Sequence, residues 1–124
     1  MIAIEKDIDK QFLHKYYKDM VDEIGDIFHL FIDEIPQDLK KVKQTFASAN
    51  YKEASEILHK IAPSFFSVGL PELTAKIQPI EKNITAKNFN EAYVGIVLLE
   101  KDISSYMPAL QRECIRLKAI SINR

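Results

Sequence analysis

Apolar residues recur every three or four positions along most of this 124-residue chain. That spacing gathers them on one side of an α-helix, whereas a half-buried strand needs alternation at every second residue. The three glycines and five prolines are too few and too scattered for the many turns of an all-β protein. The sequence therefore predicts an all-α fold in a single domain that covers residues 1–124.

The apolar positions predict a short first helix, from Ile8 to Tyr17, followed by four longer amphipathic helices. The first longer helix has core positions at Met20, Ile24, Ile27, Phe28, Phe31, Ile35, Leu39, Val42 and Phe46. The second has Ala54, Ile57, Leu58, Ile61, Phe65 and Val68. The third has Leu73, Ile77, Ile80 and Ile84. The last has Tyr93, Ile96, Leu99, Ile103, Tyr106, Leu110, Cys114 and Leu117.

The connections between these longer helices are short. Ser48–Asn50 and Ser67–Pro71 read as turns, and Asn88 begins the last helix. Because short connections make neighbouring helices antiparallel, we expect an up-down-up-down four-helix bundle, with the short first helix packed across one end. Pro36 is expected to kink or divide its helix and Pro79 to kink another, since proline removes a backbone donor and crowds the preceding turn.

Charge and composition exclude several classes of protein. A formal charge of −1, with acidic and basic residues interspersed, provides no basic field for nucleic acid. No apolar run approaches the roughly 20 residues of a membrane span, and the N-terminus lacks the order of a signal peptide. We expect a cytoplasmic protein, unless the segment was cut from a larger membrane-bound one. The single cysteine, Cys114, falls on an apolar stripe and is predicted to be a buried, inert thiol.

His59 interrupts the pattern of its helix, because it lies roughly 140° from the middle of the apolar stripe. The imidazole should therefore face solvent. Ser55, Pro63 and Phe66 share this outward face and form a small, partly apolar patch around it. Such a patch suits the docking of a protein partner.

The segment from His59 to Ser64 reads HKIAPS, and Gly69 follows ten residues after the histidine. It resembles the histidine-containing phosphotransfer (HPt) domain of multistep two-component signalling, in which a helix segment H-x-L-K-G-S is followed by glycine at the same distance. Ser64 and Gly69 match that pattern. Ala62 and Pro63 stand where the family usually has lysine and glycine.

The resemblance implies a phosphorelay intermediate. His59 would accept a phosphoryl group from the aspartate of a response-regulator receiver domain and pass it to another receiver, without catalytic activity of its own. The chain would need no cofactor, because in this family the receiver domain holds the Mg²⁺. The expected partners are receiver domains and a hybrid histidine kinase, and we expect a monomer that binds neither nucleic acid nor membrane.

Site roles follow from the same resemblance. Members of that family carry a Gln or Glu 22 residues after the histidine, and the corresponding residue here is Glu81. Glu81 would accept a hydrogen bond from Nδ1–H of His59 and leave Nε2 to attack. Lys60 and Lys52 are candidates to screen the phosphate in the absence of the usual lysine. All three charged residues also fit ordinary solvated positions. The expected docking surface comprises Ser55, Pro63, Ser64, Phe66 and Gly69.

Two other interpretations remain open. The same bundle fits a helical interaction module that binds receiver or kinase domains without phosphorylation, since Ala62 and Pro63 depart from the motif. The pairs Glu56/His59 and Asp26/His29 have the spacing found in carboxylate-bridged di-iron bundles, but their predicted outward direction argues against such a site. His14 and His29 otherwise read as ordinary surface or core residues.

Overall fold

The computed structural model describes residues 7–11, 13 and 20–122 of the chain. Within them the fold is all-helical, as predicted, and no strand is present. Five α-helices are defined: α1 (Val21–Ala47), α2 (Tyr51–Ile61), α3 (Ser64–Ser67), α4 (Pro71–Thr85) and α5 (Phe89–Ile122). Helix α3 is a single turn, so four longer helices form most of the described molecule.

The predicted first helix is described only in part. Lys10, Gln11 and Leu13 are helical, whereas position 12 and positions 14–17 lie outside the described residues. Ile8 and Leu13 are buried, and the backbone N–H of Asp9 donates to the carbonyl of Gly69 at 3.0 Å. This segment therefore packs against the turn between α3 and α4.

The turn between α1 and α2 falls at Ser48–Asn50, where it was predicted. Ala49 adopts a left-handed conformation with φ of 59°, and Asn50 caps α2. The Asn50 side chain accepts a hydrogen bond from the backbone N–H of Glu53 at 3.4 Å and donates one to the Glu53 carboxylate at 2.8 Å. The first of these bonds satisfies a backbone donor that the first helical turn leaves without a partner, and so helps to fix where α2 begins.

The prolines act differently from one another. Helix α1 continues through Pro36 and α4 through Pro79, so of the two outcomes expected for Pro36, a kink or a division of the helix, the division does not occur. In α1 the buried residues Ile35 and Leu39 continue the stripe on both sides of the proline, and their packing outweighs one lost backbone hydrogen bond. Pro63 is the one followed by a new element: α2 ends at Ile61, and α3 begins directly after the proline.

The four longer helices surround one apolar core. Helix α1 packs against α2 and α5, and α4 packs against the same two helices. Nearly all of the predicted stripe positions are buried. Met20 and Tyr93 are exceptions, at 48% and 45% exposed, because Met20 precedes the first turn of α1 and Tyr93 lies at the edge of the stripe beside Phe46.

Cys114 is buried, as predicted, and its thiol contacts the carbonyl of Gly25 in α1 at 3.9 Å. The two residues join the C-terminal half of α5 to the start of α1. None of the helices in the described part of the chain is both long and apolar enough to cross a bilayer.

Candidate functional site

His59 lies in the last turn of α2 and its side chain is 85% exposed. Its outward direction follows from the residues on either side, because Leu58 and Ile61 are fully or almost fully buried. The predicted exposure of the imidazole is therefore confirmed. An imidazole in its neutral form keeps a lone pair on one ring nitrogen and can act as a nucleophile.

Glu81 of α4 is the charged neighbour of this histidine. Its Oε1 lies 3.6 Å from Nδ1 of His59, and its side chain is only 26% exposed. This distance is an electrostatic contact and slightly exceeds the usual range of a hydrogen bond. The structure thus brings together the two residues that the sequence analysis paired, with Nδ1 facing the carboxylate.

A groove runs between α2 and α4 beside this pair, and we call it the His59 groove. It is lined by His59, Ala62, Phe66, Pro71, Thr74, Ala75, Ile77, Gln78 and Glu81. The hydroxyl of Thr74 donates to the carbonyl of Ala62 at 2.9 Å. That carbonyl lies just beyond the end of α2, so the bond satisfies an acceptor at a helix terminus and ties α2 to α4.

The residues predicted to form the docking surface divide between different environments. Pro63 and Phe66 are exposed, with Phe66 at 45%, while Ser55 is half-buried. Ser64 is also half-buried and lines a second groove, between α1 and α2. Gly69 is buried beneath the N-terminal segment, so the prediction that it forms part of the docking surface is wrong.

Gly69 has a structural reason to be glycine. Its φ of 77° lies in the left-handed region, and a Cβ there would come within 3.0 Å of Leu13 and 3.1 Å of the Asp9 carbonyl. The residue therefore allows the turn between α3 and α4 to pass close beneath the N-terminal segment. It contributes no surface to which a partner can bind.

The two candidate lysines lie apart from the His59 groove. Lys60 lines the second groove, on the α1 side of α2, together with Glu34 and Asp38. Lys52 is exposed in the first turn of α2, about two helical turns before His59. Neither lysine is among the residues that line the His59 groove.

Two polar residues of this groove escaped the sequence analysis. Thr74 and Gln78 precede Glu81 by seven and three residues, so all three share one face of α4. That spacing is a usable signal, but it points to a site only once the face of α4 that meets α2 is known. The structure supplies this information.

A di-iron site is not supported by the geometry. Asp26, His29, Glu56 and His59 are all exposed, as their positions relative to the stripes predict. Nδ1 of His29 lies 3.4 Å from the ammonium group of Lys118. Over residues 7–11, 13 and 20–122, no three His, Cys, Asp or Glu side chains are grouped so that they could hold a metal ion. His14 lies outside the described residues.

Comparisons with protein-family models, with curated proteins and with solved structures each find no match to this chain.

Proposed function

We propose that this protein is a histidine-containing phosphotransfer carrier that receives a phosphoryl group on Nε2 of His59 from a receiver aspartate and delivers it to a second receiver. The observation that carries the proposal is the exposed imidazole of His59 with Nδ1 facing Glu81, a carboxylate from a neighbouring helix. In this role the protein acts in the cytoplasm as a monomer and is not an enzyme in its own right.

The proposal includes an antiparallel up-down-up-down arrangement of α1, α2, α4 and α5. Contacts between α4 and α5 support it: Glu72 bonds to Tyr106 at 2.9 Å, and Lys76 bonds to Asp102 at 2.5 Å. Residue numbers rise along α4 while they fall along α5, as antiparallel neighbours require.

Contacts of two further helix pairs, α1 with α5 and α2 with α4, run in the same sense. Gly25 of α1 meets Cys114 of α5, whereas Lys43, further along α1, pairs with the earlier residue Glu100 at 3.2 Å. Between α2 and α4, the pair His59/Glu81 is followed by the bond from Thr74 to the Ala62 carbonyl. These pairs support a bundle in which His59 is presented on the side of α2.

The transfer step needs little from the carrier. The lone pair of Nε2 forms the N–P bond as the P–O bond to the receiver aspartate breaks, and the departing oxygen keeps its electron pair as a carboxylate. The imidazole ring gains positive charge, which Glu81 stabilises from the Nδ1 side. The receiver brings the Mg²⁺ that neutralises the equatorial phosphoryl oxygens, so the chain itself requires no cofactor.

Lys52 and Lys60 enter this proposal only as long, flexible cations outside the groove. Either ammonium group can screen a phosphate at a distance once a receiver has docked. Pro63 and Phe66 give the partner a compact apolar contact beside the histidine, with Ser55 at its edge.

The test is phosphoryl transfer from a panel of phosphorylated receiver domains, with mass spectrometry to locate the modification and His59→Gln as the control. We expect an acid-labile phosphate confined to His59 of the parent. A parent protein that acquires no phosphate from any receiver, or that acquires it equally in the variant, would contradict the proposal.

A second candidate is a docking module that binds receiver or kinase domains without accepting phosphate. It is favoured by the lining of the His59 groove, in which Ala62 places no charge beside the imidazole and Phe66 is 45% exposed. Binding of receivers with equal affinity by the parent and by His59→Gln, together with no transfer, would favour this candidate.

A further inference from the structure

The His59 groove contains one feature that the motif does not assign: the carboxamide of Gln78. This side chain is exposed and lines the groove together with His59, Ala62 and Glu81. We propose that the Gln78 amide donates hydrogen bonds to the phosphoryl group carried by His59. This inference rests on the proposed function, and in it Gln78 is the residue that holds the oxygens of the phosphoryl group on His59.

The register of α2 against α4 places Gln78 between the levels of His59 and Ala62. His59 lies beside Glu81, and the carbonyl of Ala62 receives the hydrogen bond of Thr74. Gln78 lies between Thr74 and Glu81 on the same face of α4, about one turn from each. Gln78 therefore lies opposite the stretch of α2 that runs from His59 to Ala62, and all three residues line the groove.

The charges of the groove create the need for a donor. The Glu81 carboxylate only accepts hydrogen bonds and repels a phosphoryl group bound to the same ring. The hydroxyl of Thr74 already donates to the Ala62 carbonyl. Among the residues that line the groove, apart from the histidine itself, Gln78 is the remaining one whose side chain carries N–H donors.

The carboxamide also fits the space. Ala62 and Gln78 both line the groove, and the alanine presents only a methyl group to it. A glutamine there supplies two N–H donors without adding a charge. It would hold the phosphoryl oxygens by direct hydrogen bonds and would act together with the cation that the receiver provides.

The experiment uses phosphoramidate as the donor, so that no partner surface is involved. Nε2 of His59 forms the bond to phosphorus as the P–N bond of phosphoramidate breaks and ammonia leaves. The rate of phosphohistidine formation is measured for the parent, Gln78→Ala, Gln78→Glu and the control Gln111→Ala, which changes an exposed residue of α5 that does not line the groove. We expect Gln78→Ala to slow the reaction about five- to tenfold, Gln78→Glu to slow it further by repulsion, and Gln111→Ala to match the parent.

A spectroscopic readout separates a direct contact from a structural effect. In ¹H–¹⁵N spectra, the side-chain NH₂ resonances of Gln78, assigned by their loss in Gln78→Glu, should shift when His59 becomes phosphorylated, while those of Gln111 should not. If His59 accepts phosphate but the Gln78 variants react at the parent rate and the resonances do not move, this inference is overturned and the carrier role survives. If the parent acquires no phosphate from phosphoramidate or receivers, both proposals fall together.

Discussion

His59 lies close to Leu58 and Ile61, two side chains with almost no exposed surface. A rotation of α2 that buried the imidazole would expose both of them, and burial of each such side chain is worth about 1.5–3 kcal/mol. The direction of position 59 is therefore set by its apolar neighbours and does not depend on the residue that occupies it. For this reason His59→Gln should fold like the parent and serve as a control for chemistry alone.

Glu81 is predicted to select the tautomer of His59. A carboxylate 3.6 Å from Nδ1 favours a proton on that nitrogen and leaves Nε2 free. Glu81→Ala should weaken this preference and slow phosphoryl transfer about tenfold, which corresponds to a loss of about 1.4 kcal/mol of transition-state stabilisation. Long-range ¹H–¹⁵N spectra of the imidazole report the tautomer directly.

Glu81→Gln is the matched variant, because it keeps an acceptor oxygen and removes the charge. It should retain the tautomer preference but lose part of the rate, since it no longer stabilises the positive ring. Identical tautomers and rates in all three proteins would rule out this role for Glu81 and leave it as a flanking carboxylate.

Gly69 is predicted to matter for stability and not for transfer. Gly69→Ala forces a residue with a Cβ into the left-handed region, which costs about 1–2 kcal/mol, and pushes the new Cβ against Leu13 and Asp9. The free energy of unfolding, measured in guanidinium chloride, should fall by at least that amount. Transfer by the folded protein should be unchanged.

Gly25→Ala is the control for this substitution. Gly25 lies inside α1, and a Cβ there would make only ordinary contacts, the nearest at 3.8 Å from Leu117. An alanine in that helix should stabilise the protein by about 0.5–1 kcal/mol. Equal effects of the two substitutions would contradict the structural role of Gly69.

At the scale of the elements, α4 is hydrogen-bonded to the neighbouring helix on each of its two sides. It reaches α2 through Thr74 and α5 through Glu72, whose carboxylate accepts a hydrogen bond from the Tyr106 hydroxyl at 2.9 Å. Burial, followed by the hydrogen bond and negative charge of Glu72 and by the charge of Asp102, raises the pKa of Tyr106 to about 12. The folded state thus favours the neutral phenol.

The raised pKa of Tyr106 predicts that the free energy of unfolding changes with pH in the alkaline range. The phenol keeps its proton in the folded state up to pH values where the unfolded chain has lost it, so its contribution is complete below about pH 10 and declines as the pH rises toward 12. Tyr106→Phe removes both the hydrogen bond and the titration. Its deficit, about 0.5–1.5 kcal/mol at pH 9, should shrink at pH 11. A deficit that stays constant across this range in urea denaturation would contradict the prediction.

The sequence predicts only in part whether a proline ends a helix. The same residue type is tolerated inside α1 at Pro36 and inside α4 at Pro79, but is followed by a new element at Pro63. Pro36 is flanked by buried residues that keep the stripe in register. At Pro63, the Thr74 hydroxyl satisfies the neighbouring carbonyl of Ala62 and stabilises the break. That bond is a tertiary contact, so local helix propensity does not predict it.

For the whole molecule, periodicity predicts the core well because burial of a stripe is a local pattern repeated along each helix. It fails at Met20 and Tyr93, where a helix end or a stripe edge decides exposure. The motif, in turn, fails at Gly69, which it led us to place on the docking surface, since burial there depends on a distant segment of the chain. The pairing of His59 with Glu81 was accessible through the motif, whereas Gln78 depends on how α4 is rotated against α2.

The arrangement of α1 and α5 predicts a disulfide that the natural chain lacks. A Cβ at Gly25 would lie 3.8 Å from the Cβ of Leu117, which matches the typical separation in disulfides of about 3.8 Å. Gly25→Cys with Leu117→Cys, in a protein that also carries Cys114→Ala, should therefore form a cross-link on mild oxidation. The link closes a loop of about 90 residues and should raise the melting temperature relative to the reduced form.

The control pair is Gly25→Cys with Asn90→Cys, again with Cys114→Ala. Asn90 is exposed at the beginning of α5, about 40 Å along the helix from Leu117 at 1.5 Å per residue, so the antiparallel arrangement keeps this pair far apart. Peptide mapping under non-reducing conditions should find the cross-link only in the first pair. A cross-link only in the second would require α5 to run parallel to α1, and it would also remove the geometric basis for the register between α4 and α5. Because α4 carries Glu81 and Gln78 to His59, this experiment bears on the groove as well as on the topology.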